Sequence, residues 1–172
     1  MNAFFRSTFI LIAAGLITGC GFHLRSAPTL PDNVNTVVID SARAHAPLAK
    51  ALNERLNVYG LSRSDTHVSD RNQSVNIYLL PENLERRLLS VYASGQVAEY
   101  ELIYNVRYRV LFPDSDPIVA QFEVVRDYQD DPDQVLAKSR ELELVLDEMR
   151  TEAADILIRR LSSQAASLAL KK

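Results

Sequence analysis

From Gln96 to Leu111 the chain alternates with period two: Tyr100, Leu102, Tyr104, Val106, Tyr108 and Val110 fall on one face, and Glu99, Glu101, Asn105, Arg107 and Arg109 on the other. Successive side chains of an extended strand point to opposite sides, so this stretch predicts an antiparallel strand with one face buried and one wet. A strand of that length needs partners on both edges, and the flanking sequence supplies them. Ser94-Gly95 turns the chain before it, and Pro113-Asp114-Ser115-Asp116-Pro117 turns it afterwards. Ile118, Ala120, Phe122 and Val124 then alternate with Gln121 and Glu123 as a following strand. Upstream, Val75, Ile77 and Leu79 alternate with polar residues, and extended character resumes from Leu84 to Tyr92. Pro81 cannot donate to a ladder, so it marks a bulge or an edge within that strand. The three strands form a meander.

Val34 to Asp40 is β-branched and reads as a first strand. A helix is predicted from about Ala46 to Tyr59: Pro47 suits a first turn, Leu48, Leu52, Leu56 and Tyr59 recur at helical spacing, and Gly60 can take the left-handed conformation that ends a helix. Ser62 to Gln73 reads as a polar loop. Asp131-Pro132-Asp133-Gln134 supplies a candidate N-cap, a proline at the first helical position and acids at the positive helix end. The long helix that follows carries Val135, Leu142, Val145, Leu146, Met149, Ala153, Ile156 and Leu157 on one stripe, with Leu144 and Ile158 read as lying opposite. At ~1.5 Å per residue it is about 50 Å long, more than the width of a four-stranded sheet, so one part is expected to project. The expected fold is α+β, in the order β-α-β-β-β-α, with two helices packed on one face of a four-stranded, mostly antiparallel sheet.

The N-terminus carries a different signal. A short basic segment from Met1 to Arg6 precedes an apolar run from Phe9 to Ile17, the order of a secretory signal peptide. That run is too short to cross a bilayer as a helix. It ends at Ile17-Thr18-Gly19-Cys20, which resembles the bacterial lipobox, and Cys20 is the only cysteine in the chain. No disulfide framework or thiolate metal site is therefore available. The expected organisation is a signal peptide at 1–19, a lipidated tether at 20–33 and a single α+β sandwich domain at 34–172, with diacylglycerol and N-acyl chains on Cys20 and no other cofactor. Resemblance to bacterial sorting rules, with Gly21 after the cysteine, implies the outer membrane. Removing the leader leaves about 150 residues, enough for one domain with a real core. With a net charge of −3 and 47% apolar residues, the chain is globular in composition and has no basic excess to attract nucleic acid.

Patterns of catalytic chemistry are missing. His23, His45 and His67 fall in the tether, at a helix start and in a polar loop, without ligands at metal spacing. There is no nucleophile elbow and no phosphate-cradling glycine loop. Glu99 and Glu101 read as a solvated sheet face interleaved with Arg107 and Arg109. An enzyme is not expected.

Cys20-Gly21-Phe22-His23-Leu24-Arg25 directly after the lipobox is similar to the start of the LptE (rare lipoprotein B) family of lipopolysaccharide-assembly lipoproteins. Gly95-Gln96-Val97-Ala98-Glu99-Tyr100, Val135-Leu136-Ala137-Lys138 and the late segment Ala153 to Leu161 extend the resemblance over nearly the whole mature chain. The resemblance implies the same fold, two helices on one face of a four-stranded sheet. It also implies a job without catalysis: helping an LptD-type outer-membrane β-barrel to fold, plugging its lumen, and binding lipopolysaccharide on its way to the cell surface. The protein would sit lipid-anchored at the periplasmic face and in the barrel lumen, and the charged face of the third strand would suit a polar lumen.

Holding an anionic lipid calls for cations, whose charge-assisted hydrogen bonds are the strong ones. The family's lysine in Leu-Ala-Lys maps onto Lys138, while its second basic position maps onto Ala93, a departure that nearby Arg86 and Arg87 could offset. The candidate lipopolysaccharide-binding residues are thus Lys138, Arg86, Arg87, Arg107 and Arg109. A rival expectation is a periplasmic lipid or lipopolysaccharide carrier with an apolar cavity between sheet and helices; a close-packed core there would count against it.

Overall fold

The computed structural model describes Pro28, Leu30, Val34, residues 36–61 and residues 74–169. The leader and lipidation readings, including Cys20, and nearly all of the predicted tether and loop, lie outside these residues. Seven elements follow in order: β1 (Thr36–Ser41), α1 (Pro47–Val58), β2 (Ser74–Leu79), β3 (Asn83–Val91), β4 (Val97–Leu111), β5 (Ile118–Gln129) and α2 (Val135–Ala169). The class is the expected α+β, with five strands rather than four.

The fifth strand comes from Pro81. β2 pairs with the C-terminal part of β4, from Asn76 opposite Leu111 to Leu79 opposite Tyr108, and β3 pairs with the N-terminal part, from Asn83 opposite Asn105 to Val91 opposite Val97. Leu80 N–H still donates to Arg107 C=O at 3.0 Å, and the register slips by one residue before Asn83. β2 and β3 are thus one path along β4, broken by a bulge where the proline has no N–H to give. β5 covers the other edge of β4 from Glu99 opposite Gln129 to Val110 opposite Ile118. β1 joins β2 in parallel, as α1 between them allows, and is the one parallel pair among the described strands.

The even-numbered face of β4 and β5 is the dry one. Leu102, Tyr104, Val106, Tyr108, Val110, Phe122, Val124 and Tyr128 form one buried cluster with Val75, Ile77 and Leu79 of β2, Leu48, Leu52 and Leu56 of α1, and Met149, Ala153, Ala154, Leu157, Ile158 and Leu161 of α2. Tyr104, Tyr108, Leu102, Met149, Leu157 and Ile158 are among the largest side chains under 2% exposed, and they fill the space that an internal carrier cavity would need. The phenol of Tyr108 meets Phe122 edge to face at 6.3 Å. Tyr104 donates its hydroxyl to the carboxylate of Glu82 beside the bulge, and burial together with that bond pushes its pKa up.

α1 ends as its sequence predicts. Gly60 has φ +68°, Leu61 N–H reaches back to Leu56 C=O at 3.0 Å, and Gly60 N–H to Asn57 C=O at 3.1 Å. The start of α2 differs. Asp131 Oδ1 accepts the N–H of Asp133 at 3.0 Å, so Asp131-Pro132-Asp133 makes a turn instead of capping the helix, and Lys138 N–H to Gln134 C=O at 2.9 Å is the first helical bond. The buried stripe of α2 also differs. Val135 is exposed and Ile158 is buried, the reverse of the expectation, because the later part of the helix packs against both α1 and the sheet and Ile158 joins the cluster that they share. Arg55 Nε to Asp155 Oδ1 at 2.6 Å, with the Tyr59 hydroxyl donating to the same oxygen at 3.2 Å, ties the two helices together.

Candidate functional site

Cross-strand pairing sets the site. Leu88, Tyr100 and Tyr128 stand in one row across β3, β4 and β5, on the face that carries the helices, and Arg86, Leu102 and Arg126 form the next row. Tyr128 is buried beneath the first turns of α2 and donates its hydroxyl to Lys138 C=O at 2.6 Å. The Lys138 ammonium lies 5.4 Å from the centre of the Tyr128 ring and pairs with Glu141 at 2.9 Å. Burial raises the Tyr128 pKa, reinforced by Glu141 and Asp130 and opposed by Lys138 and Arg86. Lys138 thus lies over the Tyr128 ring, and Arg86 stands in the neighbouring row. The pKa of Lys138 is itself raised, first by its hydrogen bond to Glu141.

Exposed apolar side chains also gather at this end of the molecule. Six of the eleven large apolar side chains exposed among the described residues, Leu88, Leu89, Val91, Tyr92, Val135 and Leu136, belong to the β3–β4 hairpin and the first turn of α2. Tyr92 donates its hydroxyl to Asp130 C=O at 3.1 Å, holding the hairpin tip against the end of β5 from which α2 departs. Leu88 and the first turn of α2 share the helix side with Lys138, whereas Val91, opposite Val97, lies on the other face of the sheet.

The five cations that the sequence singles out divide between two surfaces. Arg86 and Lys138 both lie on the helix side, where Arg86 has no ion-pair partner among the described residues. Arg87, Arg107 and Arg109 face the opposite side: Arg87 pairs with Glu101 at 2.7 Å, and Arg109 lies 5.9 Å from the Tyr78 ring centre. Arg107 lines an open polar hollow of about 820 Å³ with Glu82, Asn105 and Glu123, which Arg160 of α2 reaches from the helix side. This mixed-charge face is the polar surface expected of the long strand, although Glu101 finds its partner in Arg87 rather than in Arg107 or Arg109. Sequence reasoning missed Tyr128 and Glu141. The period of β5 continues past Val124 to Tyr128 and could have found the first; Glu141, three residues after Lys138, could have been found from helical spacing.

Comparison with known proteins gives one family. The profile of the LptE lipopolysaccharide-assembly family matches residues 31–161. The LPS-assembly lipoprotein LptE of Pectobacterium atrosepticum is 35% identical over 158 residues, covering 90% of this chain and 83% of the relative. That of Photorhabdus laumondii is 33% identical over 156 residues, covering 90% and 84%. In three dimensions the chain is similar to rare lipoprotein B from Shewanella oneidensis, with a TM-score of 0.69 and 36% identity over 78% of this chain and 99% of the other. An uncharacterised lipoprotein B from Nitrosomonas europaea shares the fold, with a TM-score of 0.66 at 24% identity over 85% of this chain and 93% of the other.

Proposed function

The chain belongs to the LptE family of lipopolysaccharide-assembly lipoproteins, a family of accessory proteins rather than enzymes, and from that premise we propose the following role for it. It is anchored to the outer membrane by lipid on Cys20, helps an LptD-type β-barrel to fold, plugs the lumen of that barrel, and binds lipopolysaccharide during its passage to the surface. The observation that carries the lipid-binding part is the Lys138 ammonium over the Tyr128 ring, with Arg86 in the neighbouring row on the same face of the sheet, at the end of the molecule where exposed apolar residues gather. Phosphates of a lipid head group would meet the two cations while acyl chains lie over Leu88, Val135 and Leu136. Because Lys138 already holds Glu141, a bound phosphate has to compete with that carboxylate, and Arg86 offers the less committed charge. The mixed-charge face of β4 and β5 is the surface suited to a polar barrel lumen.

Direct binding of lipopolysaccharide to the purified protein tests this reading. Arg86→Glu and Lys138→Glu should each weaken binding about tenfold or more, as expected when a charge-assisted contact is reversed. Arg107→Glu, on the opposite face, should leave affinity unchanged. Equal affinity in all three variants, each with an unchanged circular dichroism spectrum, would remove this end of the molecule from the binding site.

A further inference from the structure

β3 is a terminal strand of the sheet: it pairs with β4, and among the described residues no strand covers the outer edge of Asn83–Val91. Charges in the middle of an edge strand ordinarily keep edges apart. Here they fall in a pattern, Leu84-Glu85-Arg86-Arg87-Leu88, that complements itself. From that pattern we infer that the β3 edge docks antiparallel onto the β3 edge of a second copy of this chain, around a twofold axis at Arg86.

The register follows from the faces. Leu84, Arg86 and Leu88 lie opposite Tyr104, Leu102 and Tyr100 and so share the helix side, while Glu85 and Arg87 lie opposite Ile103 and Glu101 on the open side. Directly opposed residues in an antiparallel pair point to the same side of the sheet. A twofold axis perpendicular to the sheet at Arg86 therefore sets Leu84 against Leu88 twice on the helix side and Glu85 against Arg87 twice on the open side. Moving the axis to Glu85 or to Arg87 sets like charges against each other and loses both opposite-charge pairs. Glu85 has no ion-pair partner among the described residues, and Arg87, whose side chain is 61% exposed, holds Glu101 through one terminal nitrogen and keeps other donors for a second carboxylate. Arg86 against its own copy is the one unfavourable pair. The irregular register between Leu88 and Val91 ends the matched stretch, so the interface is short and the dimer weak.

The test is sedimentation equilibrium of the full-length lipidated protein in an excess of detergent micelles. A concentration-dependent monomer–dimer equilibrium is expected. Arg86→Ala, which removes the like-charge pair, should tighten it by about threefold to fivefold, and Glu85→Arg should loosen it by a similar factor. Under mild oxidation Arg86→Cys should cross-link to its own copy, whereas Asn83→Cys, opposed to Leu89 in this register, should form no more cross-link than the parent protein. A monomer at every concentration would overturn the inference and leave the edge to a strand of some other protein. A dimer indifferent to Arg86→Ala and Glu85→Arg, or cross-linked equally through position 83, would overturn it as well.

Discussion

Tyr128 connects three parts of the chain that sequence distance keeps apart: the end of β5, the row leading through Tyr100 to Leu88, and the first turns of α2. Its hydroxyl satisfies a carbonyl of Lys138, and its ring carries the ammonium of the same residue. Tyr128→Phe keeps the ring and removes the bond, so it should cost about 1 kcal/mol. Faster amide exchange at the start of α2, with the rest of the helix unaffected, would show where the cost falls. A second expectation concerns pH. Burial raises the pKa of Tyr104, Tyr108 and Tyr128 above the ordinary 10.0. The native state therefore keeps these protons when the unfolded chain gives them up, and the stability they contribute is complete below about pH 10 and lost as the pH rises beyond it. The melting temperature should fall above pH 10, and less steeply in Tyr104→Phe. An unchanged alkaline slope in that variant would assign the loss to other groups.

At the scale of elements, the period of two in β4 was readable because one face is dry and the other wet along its whole length. The bulge at Pro81 was readable because proline lacks an N–H. The start of α2 misled for a physical reason: Asp-Pro-Asp is as good a turn as it is a cap, and the side chain of Asp131 bonds Asp133 two residues on. The position of Ile158 misled because a single stripe describes a helix with one neighbour, and α2 has two, the sheet and α1. Substitutions along α2 should register this. Leu157→Ala, at a fully buried position, should cost about 2–5 kcal/mol and Ile158→Ala nearly as much, whereas Leu144→Ala, at an exposed one, should stay within about 0.5 kcal/mol. Chemical denaturation of the three variants separates these cases. A neutral Ile158→Ala would return that residue to the outer face.

The whole molecule carries its candidate residues on two opposite sides of one sheet, and the sequence showed these components more clearly than their grouping. Arg86 and Arg87 are neighbours in the chain and point to opposite faces, a consequence of strand geometry that a count of basic residues conceals. That Arg86 and Lys138 share one side depends on where α2 crosses the sheet, which no local pattern encodes. Among the described residues the packing on the core begins at Leu30, so Cys20→Ala should release the protein from the membrane without lowering its melting temperature; a large fall would mean that the segment around Cys20 contributes to the stability of the fold. The central claim, that the chain works as the lipid-anchored partner of an outer-membrane barrel, is tested most directly by purifying a tagged form from isolated outer membranes under mild detergent. The account predicts that an LptD-type β-barrel copurifies in near-equal amount. Recovery of the protein alone, or from the inner-membrane fraction, would contradict it.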